Sequence, residues 1–229
     1  MSVGTGVEPV VQMFHVHKRY GPQIALRDVN LTVLRNEFVF VTGPSGAGKT
    51  TLLRLVFLQE EVSEGQILVN GVNLQRVRRK VIPLLRRSIG FVFQDFRLID
   101  TYTVYENIAL VLEATGRERS YIQKKVRQVL SMVGLEDRMH TYPPRLSGGE
   151  QQRVAVARAA VGDPWILLAD ELTGNLDDDA ADMVFDLLRQ LHKRGTTIVV
   201  ATHDTRLFGK VPGRVVFLNK GRIEGEKRP

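Results

Sequence analysis

A glycine-rich segment, GPSGAGKT over residues 43–50, constrains the fold of this 229-residue chain more than any other feature. It has the spacing G-x-x-x-x-G-K-[ST] of a phosphate-binding loop. The run before it, Glu37–Thr42, is apolar and β-branched like a buried strand, and the run after it, Thr51–Val56, can form a helix. Strand, glycine loop and helix form the context in which this motif binds phosphate. The alternative is a glycine-rich turn that matches by chance.

The residue types of this loop suit a nucleotide. Glycines allow backbone N–H groups to close around phosphate oxygens, and the N-terminus of the following helix adds partial positive charge. Lys49 can reach the β- and γ-phosphates, and the Thr50 hydroxyl can ligate Mg²⁺. The predicted nucleotide-binding residues here are Gly43, Pro44, Ser45, Gly46, Ala47, Gly48, Lys49, Thr50 and Thr51.

Composition narrows the class of protein. Hydrophobic content of 43% and charged content of 25% are ordinary for a globular protein. The absence of cysteine excludes disulfides and thiolate metal sites. No apolar run is long enough to span a bilayer, and residues 1–9 lack the apolar core of a signal peptide. We therefore expect a cytoplasmic protein.

The net charge of +7 favours an anionic partner. Basic residues concentrate between Arg76 and Arg87, which is either a solvated helical face or a docking surface. No aromatic side chains alternate with them, so we expect no nucleic acid.

The order of apolar patterns predicts a flexible arm over residues 1–9 and a single α/β domain over 10–229. Strand patterns occur at Val10–His17, Leu31–Leu34, Phe38–Val41, Gln66–Val69, Ile89–Phe93, Trp165–Ala169, Thr197–Ala201 and Val215–Leu218. Helical spacing occurs at Val104–Ala114, Tyr121–Val133, Glu150–Val161 and Ala180–His192. Alternation of strands and helices implies a parallel sheet, with a helical insertion at about residues 95–162.

Two carboxylates follow the apolar run Ile166–Ala169. Asp170 could hold Mg²⁺ directly or through water, since Mg²⁺ prefers oxygen ligands, and Glu171 could orient or deprotonate a water. Alone, such a pair is more often a helix cap or a solvated corner. After a phosphate-binding loop, a catalytic role is the better interpretation.

The segment Leu146–Glu150, LSGGE, has the pattern of a capping box, with Ser147 at the N-cap and Glu150 three residues later. An ordinary capped helix would show the same pattern. It also resembles the signature motif of the ABC-type ATPases, and with the phosphate-binding loop this resemblance covers nearly the whole chain. It implies a P-loop NTPase core with a parallel sheet, an antiparallel β subdomain and an inserted helical subdomain.

The resemblance also implies roles for further residues. Tyr20 would stack on adenine, although locally it is only a turn tyrosine. Gln94 would contact Mg²⁺ and the attacking water, residues 175–177 would form the D-loop, and His203 would contact the γ-phosphate. The implied catalytic residues are Glu171, His203, Lys49 and Gln94, and the implied metal ligands are Thr50, Gln94 and Asp170. The implied cofactors are ATP and Mg²⁺.

Two further points follow from the family pattern. Proline usually follows the catalytic glutamate, whereas Leu172 stands here, so the path to the D-loop is expected to be softer. Two chains are expected to pair head to tail in the presence of ATP, each nucleotide lying between the Lys49 loop of one chain and residues Ser147, Gly148, Gly149 and Glu150 of the other.

Three segments resemble the members of the family that act in bacterial cell division: Pro83–Arg87, Phe93–Leu98 and Thr103–Asn107. The implied partner is a permease-like membrane subunit, and the implied location is the cytoplasmic side of the inner membrane. Lipoprotein-releasing and MacB-type export ATPases are the alternative. A soluble ATPase acting on nucleic acid and a scaffold that binds ATP without turnover are further alternatives.

The stretch Asp95–Glu106 follows Gln94. If its apolar residues Phe96, Leu98, Tyr102 and Tyr105 are exposed, they form a socket for a short cytoplasmic helix. The alternative is that they pack inside the insertion.

Overall fold

The computed structural model describes residues 8–172, 174 and 176–228. In chain order its elements are β1 (Pro9–Tyr20), β2 (Gln23–Leu34), β3 (Phe38–Thr42), α1 (Lys49–Val56), β4 (Glu64–Val69), β5 (Val72–Asn73), α2 (Ile82–Arg87), β6 (Ile89–Val92), α3 (Val104–Glu113), α4 (Arg119–Val133), α5 (Gly148–Ala160), β7 (Ile166–Asp170), α6 (Asp178–Lys193), β8 (Thr197–Ala201), β9 (Arg214–Asn219) and β10 (Arg222–Lys227).

A four-stranded antiparallel sheet has the order β2-β1-β4-β5. The hairpin between β1 and β2 turns at Gly21–Pro22, because Tyr20 pairs with Gln23. The sequence analysis found only the last third of β2. Its first part is hidden because the register shifts, and His15 and Asp28 both adopt positive φ, which interrupts the alternation of apolar and polar residues.

The six-stranded sheet has the order β10-β9-β3-β8-β7-β6, and the pairs from β9 to β6 are parallel. Strands β3, β7 and β8 are buried at every position. Alternate residues enter two separate cores, so that Phe40 lies with the helical insertion whereas Val39 and Val41 lie with α1 and the antiparallel sheet. Because the strands are parallel, the carboxyl ends of β3, β6, β7 and β8 meet at one edge.

Helices α3, α4 and α5 lie between β6 and β7 in the chain and form the predicted insertion. Thr103 and Ser147 begin α3 and α5 with complete capping boxes, and Gly134 ends α4 at a φ of 64°. Asn107, fully buried in α3, accepts a hydrogen bond from Ile99 N and donates to the carbonyls of Ile99 and Thr103. The loop before α3 is therefore held against the insertion.

The structure changes three expectations about elements. Pro9 begins β1, and the carbonyl of Glu8 accepts a hydrogen bond from Arg35 N, so the end of the predicted arm belongs to the sheet. Residues 1–7 lie outside the described part. Helix α2 and strand β10 had not been predicted.

None of the helices in the described ranges is both long and apolar enough to cross a membrane.

Candidate nucleotide-binding site

A cleft of about 780 Å³ opens at the carboxyl ends of the parallel strands. The residues 44–51 line it together with Tyr20, Gln94, Glu171 and His203. These side chains come from five separate segments of the chain. The parallel sheet brings four of these segments together because each follows a strand that ends at the same edge, whereas Tyr20 is the last residue of β1 in the antiparallel sheet. Tyr20 is 39% exposed at the cleft, with the Lys18 ammonium 4.7 Å from its ring centroid.

The backbone of the loop requires glycine at two positions. Gly43 has a φ of 152°, and a Cβ there would lie 1.9 Å from the carbonyl oxygen of Leu218. Gly48 has a φ of 108°, and a Cβ there would lie 2.6 Å from the carbonyl oxygen of Ala25. Without a Cβ at these two positions, the loop can pack against neighbouring backbone just before α1 begins.

Lys49, the first residue of α1, is directed back across the loop. Its ammonium donates to the carbonyls of Gly43 at 2.9 Å and Pro44 at 3.2 Å, and it lies 3.3 Å from Glu171 Oε1. The side chain is only 7% exposed. A nearly buried cation fixed by three oxygens is placed to bind phosphate without a large conformational change.

Thr50 and Asp170 lie next to each other below the loop. The Thr50 hydroxyl donates to Asp170 Oδ1 at 3.0 Å. Burial raises the pKa of the Asp170 carboxyl, and the hydrogen bond from Thr50 opposes that shift. A hydroxyl and a carboxylate beside a phosphate-binding loop are the hard oxygen ligands that Mg²⁺ prefers, so these residues fit that ion.

Glu171 follows β7 and joins the predicted catalytic residues. It adopts a φ of 49°, which is uncommon for a residue with a side chain, and its N–H donates to the carbonyl of Ala201 at 2.9 Å. Its Oε2 lies 2.7 Å from His203 Nδ1, while its Oε1 faces Lys49. The strained backbone at this turn places the Glu171 carboxylate between Lys49 and His203 at the cleft, where its side chain is 13% exposed.

Leu172 is buried at 2% exposure in the core on the α6 side of the sheet. The family's usual proline would remove a backbone donor and disfavour the α region at the preceding residue. Leucine at this position keeps the backbone N–H and contributes apolar packing. Asn175, part of the predicted D-loop, lies outside the described residues.

The predicted signature residues line a different cleft. Ser147, Gly148, Gly149 and Glu150 face a space of about 320 Å³ that is also lined by Leu176 and Asp177. The Ser147 Oγ accepts a hydrogen bond from Glu150 N, and Ser147 N donates to Glu150 Oε2 at 2.8 Å. That hydrogen bond from the Ser147 backbone lowers the pKa of the Glu150 carboxyl. One chain therefore does not bring the signature residues into the cleft of Lys49.

An arginine that the sequence analysis missed connects the signature helix to the segment after Gln94. Arg158, on α5, donates to the carbonyls of Phe96 and Arg97, both at 2.6 Å. Both acceptor residues have positive φ. No local pattern marks Arg158, because its partners are about sixty positions away in the sequence. The guanidinium fixes the conformation of the loop that begins at Gln94.

We expect Arg158→Met to lower the maximal rate of ATP hydrolysis by about 10-fold, because the carbonyls of Phe96 and Arg97 lose their charged donor and the Gln94 loop is released. Affinity for ATP should change little, since the phosphate-binding loop is untouched. Steady-state kinetics check both values, with Arg127→Met on the exposed face of α4 as the matched control. A rate equal to that of the unsubstituted chain would contradict this role.

A largely apolar groove of about 390 Å³ runs beside the edge strand β6. It is lined by Phe57, Phe91 and Phe93 and by Leu110 and Val111 of α3, with the arginines 86, 87, 97 and 158 along it. The Arg97 guanidinium lies 4.2 Å from the ring centroid of Phe93 and 3.1 Å from Asp95.

This groove differs from the predicted socket. Phe96, Leu98 and Tyr105 are partly buried against the core of the insertion, so for these three the alternative of packing inside the insertion applies. The Arg158 guanidinium donates to the carbonyl of Phe96, and the buried amide of Asn107 binds the backbone of Ile99, between Leu98 and Tyr105. Only Tyr102, of the four, is exposed, at 40%.

Comparison with known proteins decides the family. Residues 26–174 match the ABC transporter family. The chain belongs to the ABC transporter ATPases. The cell-division ATP-binding protein FtsE of Streptococcus pneumoniae is 43% identical over 93% of this chain and 94% of its own. FtsE of Bacillus subtilis gives the same values, and FtsE of Escherichia coli is 41% identical over 94% of this chain and 98% of its own.

Solved structures agree with the fold of this ABC ATPase. The dimeric bacterial ABC transporter cassette MJ0796 superposes with a TM-score of 0.89 and is 35% identical, covering 95% of this chain and 98% of its own. A dimeric post-hydrolysis state of the same cassette, bound to ADP and phosphate, gives a TM-score of 0.88 at the same identity. The predicted fold class and the predicted resemblance to FtsE are confirmed.

Proposed function

We propose that this FtsE-like chain binds and hydrolyses MgATP in the cleft of Lys49. The observation that carries the proposal is the single carboxylate of Glu171, held between Lys49 and His203 and adjacent to the Thr50–Asp170 pair. Lys49 supplies a cation that can bind phosphate, and Glu171 supplies a base that can deprotonate water. The Thr50–Asp170 pair supplies oxygen ligands for a metal ion.

Each side chain then has a distinct role. Lys49 binds the β- and γ-phosphates, and Tyr20 stacks on the base. Glu171 orients and deprotonates the attacking water, while His203 holds the γ-phosphate on the other side of that carboxylate. Thr50, Asp170 and Gln94 would hold Mg²⁺, which when bound neutralises the charge that develops on the transferred phosphoryl group.

A second copy of the chain completes the site. Ser147 and its glycines lie in a separate cleft, so they can contact the γ-phosphate only from another chain. Structural relatives at 35% identity are dimeric cassettes, which supports a head-to-tail homodimer. ATP then favours the closed dimer, and hydrolysis removes the bridging phosphate.

The groove beside β6 is the surface we propose for a membrane subunit. It is apolar, has a basic rim, and lies next to Gln94, so that a short helix bound there would sense the state of the cleft. The FtsE relatives make FtsX the expected partner, on the cytoplasmic side of the inner membrane. ATP-driven closure of the dimer, transmitted through this membrane subunit, would then regulate cell-wall hydrolysis. The ATPase of a lipoprotein-releasing or MacB-like exporter is the second candidate.

Charge reversal at the groove tests this assignment. Asp95→Lys and Arg97→Glu, made separately in cells, should each lower recovery of the chain with membranes by about 10-fold, since a charged interface group is lost and replaced by its opposite. Immunoblotting of membrane fractions measures the effect.

The exposed pair Asp186 and Arg189 on α6 supplies matched controls, Asp186→Lys and Arg189→Glu, which should leave recovery unchanged. Thermal unfolding midpoints report whether all four variants fold. Full membrane recovery of folded groove variants would refute the groove as the docking surface. Mass spectrometry of the co-purified subunit distinguishes FtsX from a lipoprotein-releasing or export permease.

A further inference from the structure

A run of thirty residues without a single carboxylate, 65–94, carries most of the chain's excess charge. It contains six cations, Arg76, Arg78, Arg79, Lys80, Arg86 and Arg87, and hence a charge of +6 in a chain whose net charge is +7. A concentration of this kind creates a local positive potential at the surface.

All six cations are exposed, and the side chains of all but one have no bonding partner in the described part of the chain. Arg86 is the exception, because its guanidinium donates to the carbonyls of Phe57 and Leu58 and holds α2 to the end of α1. Within residues 8–172, 174 and 176–228, the others make no ion pair and no side-chain hydrogen bond; they are Arg76, Arg78, Arg79, Lys80 and Arg87. Structural pairing therefore does not account for them.

An exposed leucine lies among these cations. Leu84 is 56% exposed, the largest value for a large apolar side chain in the described residues. A 3₁₀ turn at Arg79–Val81 runs directly into α2, so Lys80 and Arg87 lie one helical turn before and after Leu84. The surface thus presents an apolar side chain with a cation on either side.

We propose that this basic surface, formed by residues 76–80, Leu84 and Arg87, binds the anionic phospholipid headgroups of the membrane while Leu84 inserts at the acyl boundary. Cations bind the headgroup phosphates, and an apolar side chain is favourable at a lipid surface and unfavourable in water. Arg87 also lines the groove beside β6, so the surface is continuous with the face proposed for the membrane subunit.

A nucleic acid fits this surface less well. Residues 74–88 contain no aromatic side chain to stack on a base. The carbonyl oxygen of the Gln75 side chain is already engaged by Ile67 N. An exposed leucine contributes nothing to binding phosphodiester backbone, whereas it does contribute to binding lipid.

Sedimentation with lipid vesicles tests the proposal on the full chain alone. The unsubstituted chain should bind vesicles of phosphatidylcholine mixed with phosphatidylglycerol and should not bind vesicles of phosphatidylcholine. The triple variant Arg78→Gln, Arg79→Gln, Lys80→Gln should bind the mixed vesicles about 100-fold more weakly, given the contribution of each cation near an anionic surface. Leu84→Gln should weaken binding about 10-fold.

The control removes the same charge elsewhere. Arg119→Gln, Lys124→Gln, Arg127→Gln neutralises three exposed cations of α4 and should leave vesicle binding within about twofold. Equal losses in both triple variants, no effect of Leu84→Gln, or retention of RNA in place of mixed vesicles would each overturn the proposal. Since the vesicles contain no protein, a negative result leaves the proposed ATPase and its membrane subunit unaffected.

Discussion

Replacing Glu171 by glutamine should lower the rate of ATP hydrolysis by about a hundredfold or more while ATP still binds. Glutamine is nearly the same size and can keep a hydrogen bond to His203, but it cannot accept a proton from water. Lys49 and the loop residues that bind the phosphates are unchanged. Steady-state hydrolysis and equilibrium binding of a fluorescent ATP analogue measure the two properties separately.

Glu113→Gln, at the exposed end of α3, makes the same chemical change away from the cleft and should hydrolyse ATP at the original rate. Lys49→Ala should give the opposite pattern to Glu171→Gln, with weakened binding of ATP, because the buried ammonium is lost. Undiminished hydrolysis by Glu171→Gln would remove Glu171 from the chemistry and leave the scaffold interpretation standing.

Replacing Ser147 by arginine should abolish ATP-dependent pairing of two chains and with it most hydrolysis, by about a hundredfold. The arginine places bulk at the N-terminus of α5, where the partner's γ-phosphate would have to dock. It also removes an N-cap, at a cost of about 1 kcal/mol in the free energy of unfolding. Each chain should nevertheless retain ATP in its own cleft, because the signature cleft is separate.

Ser120→Arg, exposed in the first turn of α4, is the matched control and should pair and hydrolyse normally. Ser147→Ala separates loss of the cap from added bulk, since it should destabilise the chain similarly but impair pairing less. If Ser147→Arg hydrolyses ATP at the original rate, the cleft works within one chain and the composite site is wrong.

The sequence predicts the centre of the fold well because the central strands are buried on both faces, and a short apolar run of this kind is readily assigned as a strand. Strands such as Phe38–Thr42 and Thr197–Ala201 are buried throughout and are apolar except for one threonine each, and a glycine loop or a capping box marks where the adjacent helix begins. The edges are less predictable. Strand β10, Arg222–Lys227, has a single large apolar residue, Ile223, and pairs with β9 at the edge of the sheet. Pairing with β9, rather than an apolar pattern, forms this strand.

The same distinction applies to the site. Lys49, Thr50, Asp170 and Glu171 occur in short motifs, and their contacts follow because the motifs come after β3 and at the end of β7, which meet at one edge of the sheet. Arg158 could not be found in this way, since its role depends on two carbonyls far away in the sequence. The groove beside β6 collects Phe57, just after α1, with residues from α2, β6, α3 and α5, and its position follows only from tertiary packing.

The central claim is that one chain provides half of each ATP site. The most direct test is the molecular mass of the Glu171→Gln chain, measured by light scattering during gel filtration with and without MgATP. One chain has a mass of 25.8 kDa. We predict that mass without nucleotide and twice that mass with MgATP, because slow hydrolysis leaves the bridging phosphate in place. The monomer mass under both conditions would contradict the composite site.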